Sequence, residues 1–142
     1  MDEKTKKQMA KMVDAVQPFC DEPITAAMTC SHAGAMSSQL IGGILSGTAF
    51  KGKPTTLPNP VMIAVGADTV YAFKYAPRGF KFKIKKEVAR WRKESLRVDV
   101  EKGKMAVNFT LTTPSGESHQ LEVYTVMGGA ELVDVFLDAL TG

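Results

Sequence analysis

Few residues in this chain could do covalent or metal chemistry, and their spacing suits neither. Cys30 and His32 form a Cys-x-His pair, Cys20 lies ten residues before Cys30, and His119 stands alone in a strand-like run. A structural zinc needs four ligands, so one Cys-x-His pair without a second points to no metal. A Cys–His nucleophile needs its two side chains to meet in space, which sequence spacing does not supply. A small buried thiol and a surface imidazole are the simpler reading. Asp68, Asp99, Glu101, Glu117 and Glu122 fall in turns or on wet strand positions, and neither GxxxxGK[ST] nor GxGxxG occurs. The expectation is no catalytic residue, no cofactor, no metal and no enzyme activity.

Charge is the remaining lead. The net charge is only +3, but between Lys74 and Arg97 ten lysines and arginines stand against Glu87 and Glu94. At the centre, Phe80-Lys81-Phe82-Lys83-Ile84-Lys85-Lys86 alternates apolar and basic residues, the two-residue period of a strand with one dry face. Phe80, Phe82 and Ile84 are expected on a core, with Lys81, Lys83 and Lys85 in a row in water. Continuation into Lys86, Arg90, Arg92 and Lys93 gives seven cations as the candidate binding surface for an acidic partner, an anionic membrane surface or an acidic protein. Nucleic acid fits less well, because the aromatic residues alternate with the lysines and cannot stack on bases from the wet face. The same lysines would also keep an exposed strand from pairing with another chain. Trp91 reads as a core anchor.

The elements that position these residues are mostly short strands. Val61–Val65, Thr69–Tyr75, Phe80–Lys86, Leu96–Glu101, Met105–Thr113 and Leu121–Thr125 alternate or run apolar, with an earlier strand at Ile24–Cys30. Gly66-Ala67-Asp68, Ala76-Pro77-Arg78-Gly79, Lys102-Gly103-Lys104 and Pro114-Ser115-Gly116-Glu117 read as turns. Glu87 to Ser95 reads as a helical turn or a crossover. Residues 2–17 form an amphipathic helix with Met9, Met12, Val13 and Val16 on one face, stopped by Pro18. Ala130 to Leu140 is a second helix, with Leu132, Val133, Phe136 and Leu140 on its apolar face. Seven short antiparallel strands must hide their edges, so a mainly β (α+β) barrel or orthogonal sandwich capped by the C-terminal helix is expected.

A chain of 142 residues can bury a core without disulfides, and two cysteines behind a charged N-terminus suit a reduced, cytoplasmic setting. The expected organisation is an N-terminal helix over 1–19 and one β domain over 20–142, with a Gly/Ala-rich insert at 31–50 and a Pro-rich linker at 51–60. The insert carries Gly43-Ile44-Leu45-Ser46-Gly47, a close-packing element, but is too polar to span a bilayer. Self-association through residues 35–50 is therefore an alternative function, and a small-ligand carrier using the barrel end is another.

The layout resembles bacterial pleckstrin-homology-like proteins, in particular an actinobacterial-type group. The resemblance rests on a Gly/Ala-rich leader, a Pro-containing linker, Val61–Phe73, Trp91, Val98-Asp99-Val100, a Gly116 hairpin and a terminal helix around Phe136. It covers roughly residues 20–142. It implies a seven-stranded barrel capped by a helix, with no catalytic residues to carry over. Members usually carry Thr-Asp-Arg in the turn after the first strong strand, where this chain reads Gly66-Ala67-Asp68-Thr69 and keeps only the aspartate. Phosphoinositide binding is not implied, because no matching basic loop motif is present. The functional reading comes from the basic strand face instead: a non-catalytic interaction module in the cytoplasm that docks an acidic partner, peripheral to a membrane where that partner is anionic lipid.

Overall fold

The computed structural model describes residues 3–33, 56–78, 81–125 and 129–142. The elements run α1 (Glu3–Val16), β1 (Ile24–His32), β2 (Val61–Gly66), β3 (Thr69–Arg78), β4 (Lys81–Arg92), β5 (Arg97–Lys102), β6 (Ala106–Thr112), β7 (Ser118–Tyr124) and α2 (Ala130–Thr141). The seven strands make one antiparallel sheet in the order β4-β3-β2-β1-β7-β6-β5. β1 joins its halves: Ile24 to Cys30 pair with β2, while Ser31 and His32 pair with Glu122 and Leu121 of β7. Ser31 and His32 thus belong to a strand and not to the expected insert. Residues 34–50, with the expected self-association segment, and 51–55 of the linker lie outside the described residues.

The sheet folds over on itself. Trp91 of β4 lies 5.5 Å from the ring of His119 on β7, although three strands separate β4 from β7 in the order. Val107, Phe109 and Leu111 of β6 and Leu121 and Val123 of β7 fill the space between the halves. α2 closes it, with Phe136 edge-on to Phe109 at 5.8 Å. Every residue of β2 is buried, because both faces of the first half-sheet are covered. α1 lies on the outer face, where Met9, Met12 and Val16 are buried and the Met9 sulfur accepts from the Ala27 N–H at 3.3 Å. Burying three such side chains is worth on the order of 5 kcal/mol, against a few tenths for the Glu3–Lys7 pairing that its spacing allows. Packing holds this helix.

Pro18 ends α1 in a 3-10 turn, Gln17–Phe19, and the link from there to β1 is sewn to the sheet. The Gln17 amide donates to the Glu22 carbonyl and accepts from the Ile24 N–H, at 2.9 and 2.8 Å. The Glu22 carboxylate crosses Gly66 to accept from the N–H groups of Asp68 and Thr69, at 3.3 and 2.8 Å. A Cβ at Gly66 would overlap that carboxylate, so a side chain there would have to displace Glu22. Gly116, at φ +91, makes the β6–β7 turn in a conformation that L side chains rarely adopt.

Two sequence expectations change. Ala76 to Arg78 are strand, not turn, so β3 and β4 are longer than their alternation suggested. Glu87 to Arg92 are neither helix nor crossover; they continue β4, and only Lys93–Ser95 form a 3-10 turn. The strand survives this interruption of the period because it absorbs two extra residues as bulges.

Two predictions follow from this packing. Gly66→Ala is expected to displace Glu22 and destabilise the fold by about 1–3 kcal/mol in urea unfolding, with Glu22→Ala costing a similar amount. The double variant should cost little more than either single one, because both remove one interaction. His119 is 2% exposed, and burial lowers its pKa from the ordinary 6.5, with Glu117 at 3.3 Å opposing that shift. A lowered folded pKa favours the neutral ring, so its contribution is complete above pH 6.5 and is lost as the pH falls below that value. The melting temperature of the wild type should drop between about pH 7.5 and about pH 5.5, and His119→Gln should flatten that drop.

Candidate functional site

The β3–β4 hairpin outruns the sheet. The last pairing of β2 with β3 is Val61 with Lys74, so Tyr75 to Arg78 pair only with β4. The result is a two-stranded arm whose tip, 79–80, lies outside the described residues, Phe80 included. Pro77 is tolerated within β3 because that strand has no partner on its β2 side there.

Register assigns each charge to a face. Lys81 and Lys83 lead one row, in which Ala76 opposes Lys83, Lys74 opposes Lys86, Ala72 opposes Ala89 and Val70 opposes Trp91. Those residues share the face that continues into the interior at Trp91. On the other face, with Phe82, Tyr75 opposes Ile84, Phe73 opposes Glu87, Tyr71 opposes Arg90 and Thr69 opposes Arg92. Lys85 and Val88 have no residue opposite and are the two bulges.

The seven predicted cations therefore do not form one surface. Lys81, Lys83 and Lys86 share a face, joined by Lys74, and all four are exposed. Lys85 is exposed at its bulge beside them. Arg90 and Arg92 point the other way. The Arg90 guanidinium donates to both Glu87 carboxylate oxygens at 3.0 and 2.8 Å and to Asp21 at 2.6 Å, and it lies 5.0 Å over the Tyr71 ring. These bonds to carboxylates raise its pKa further above the arginine range. Arg90 is thus a staple between β4 and the α1–β1 link, next to the Tyr71 hydroxyl that accepts from the Asp21 N–H. Arg92 pairs with Glu94 at 3.1 Å. Lys93 is half-buried, and its N–H donates to the Asp68 carbonyl at 2.8 Å.

The lysine row has no such neutralisation. Among the described residues no carboxylate lies within 4.0 Å of Lys74, Lys81, Lys83, Lys85 or Lys86. One cross-strand pair on that face, Lys74 with Lys86, sets cation opposite cation. Like charges in that position destabilise a pair by up to about 1 kcal/mol. A bound anion would relieve that repulsion. On the opposite side of the arm Tyr75 and Phe82 meet edge-on at 5.9 Å, and a groove beside α1 is lined by Phe82, Lys81, Lys11, Asp14 and Ala15.

The sequence reading missed Lys74. A symmetric hairpin about residues 79 and 80 would set Lys74 opposite Lys85, and only the bulge at Lys85 brings Lys86 there instead.

Cys30 is 2% exposed, and burial drives its thiol far above the ordinary range, so it stays protonated. Cys20 is pushed up to about 11, first by burial and then by Glu87. The His32 Nε2–H donates to the Leu57 carbonyl at 2.6 Å. Among the described residues no three His, Cys, Asp or Glu converge as metal ligands. No described helix is long and apolar enough to cross a membrane. Comparison with known proteins finds no matching family model, curated protein or solved structure.

Proposed function

We propose that this chain is a non-catalytic interaction module of pleckstrin-homology-like type, and that its β3–β4 arm docks on the anionic headgroups of a membrane surface. The observation that carries the reading is the row Lys74, Lys81, Lys83 and Lys86. It is exposed, free of carboxylate partners among the described residues and built with cation opposite cation. Such a row on a projecting arm can lie flat against a negatively charged plane, where each lysine is worth about 1 kcal/mol. The sheet of four plus three strands sharing β1, with a helix at its C-terminal end, supports the fold assignment.

An acidic protein offers the same charge but not the extended plane that a flat ribbon matches. Nucleic acid is the weaker fit here too. Among the described residues of the arm, the aromatic side chains Phe82 and Tyr75 lie on the face away from the lysines, where they cannot stack on bases held by the row. The protein would then sit peripherally at the cytoplasmic leaflet, attracted by charge and released by salt.

Sedimentation with phosphatidylserine-containing vesicles tests this reading. The pair Lys81→Glu and Lys83→Glu should weaken binding at least roughly thirtyfold at low salt, since two lysines contribute about 2 kcal/mol. Arg90→Gln, on the other face, should leave vesicle binding unchanged while lowering the melting temperature. Equal binding by wild type and the Lys81/Lys83 variant, with the fold intact by circular dichroism, would refute the docking surface.

A further inference from the structure

We infer that β5 is a self-association edge, along which two copies of this chain pair antiparallel about Val98. The sheet ends in two strands, β4 and β5, and they differ in how they meet a neighbour. β4 is interrupted by two bulges and carries lysines, devices that spoil pairing with another strand. β5 has neither a proline nor a bulge, and its register with β6 is unbroken from Arg97 to Lys102. Its outward backbone groups make no hydrogen bond among the described residues. Leu96 extends the edge by one residue, at φ −87 and ψ 134.

The side chains of this edge are complementary to themselves. Leu96, Val98 and Val100 form one row, in which Leu96 and Val98 are half-buried and Val100 is 40% exposed. Arg97 and Asp99 stand on the opposite row, joined only by an exposed ion pair at 3.3 Å. With Val98 facing its own counterpart, Leu96 meets Val100 and Arg97 meets Asp99, on both sides of the two-fold axis. The apolar row is covered, and each charge gains an opposite partner. Neighbouring registers do worse. An axis at Arg97 or Asp99 sets a charge against its own copy, and one at Val100 sets Asp99 against Glu101. An axis between two residues puts valine against charge.

Light scattering across a concentration series is the test. The wild-type mass is expected to rise from 15.4 kDa toward twice that value. Asp99→Arg should hold the protein at the monomer mass, and adding Arg97→Asp, which swaps the two charges, should restore the dimer. Amide exchange of the unaltered protein reads the same interface: protection of residues 96–100 should grow with concentration. A wild type that stays monomeric up to its solubility limit overturns the inference. So does a dimer unaffected by Asp99→Arg, a swapped variant that remains monomeric, or concentration-independent exchange over those residues.

Discussion

The register of β4 against β3 decides what every charge in the basic region can do. A strand of strict alternation would put Lys86 with Phe82 and Ile84, and would put Glu87 with Lys81 and Lys83. The bulge at Lys85 reverses both, so that Lys86 joins the lysines opposite Lys74 and Glu87 turns outward beside Phe73. The bulge at Val88 then returns Arg90 to the outer face, within reach of Glu87 although the two are three residues apart. Two extra residues thereby sort the region into a free lysine row and a neutralised arginine staple. Bulges elsewhere re-aim side chains in the same way.

The staple serves the rest of the fold. β2 is buried on both faces, so the outer face of the first half-sheet needs a cover, and α1 provides it. A helix held by three buried side chains stays in place only if its connection to β1 is fixed as well. Gln17, Glu22, Tyr71 and Arg90 do that, each through a polar contact spanning that link or joining it to β3 or β4. The charges that serve the interior frame are therefore distinct from those available to a partner, although they alternate within one twelve-residue strand.

Much of the architecture was legible in the sequence. The strands of the second half alternate cleanly, and β5 to β7 lie close to where Val98, Phe109 and Leu121 put them. The two helices follow from their apolar spacing. The candidate surface was legible only in part. Lys81 and Lys83 could be read from alternation, but the same alternation cannot show a bulge, because a bulge is a relation to the partner strand. Lys86, Arg90 and Arg92 were grouped with them for that reason, and Lys74 was left out. The carboxylates that occupy Arg90 come from Asp21, 69 residues away, and from Glu87 beyond a bulge, and neither contact has a sequence signature. The length of the arm was hidden by Pro77, which reads as a turn residue yet lies in strand where β3 has no second neighbour.

The central claim is that the lysine row, and no other cationic surface of the described chain, meets an anionic membrane. Amine footprinting by mass spectrometry, on the full chain with and without phosphatidylserine vesicles, reads that claim residue by residue. Lys74, Lys81, Lys83 and Lys86 should lose reactivity together when vesicles are present, while Lys4, Lys7 and Lys102 keep theirs. Protection spread evenly over all the lysines, or absent from the row while the protein sediments with the vesicles, would contradict the account.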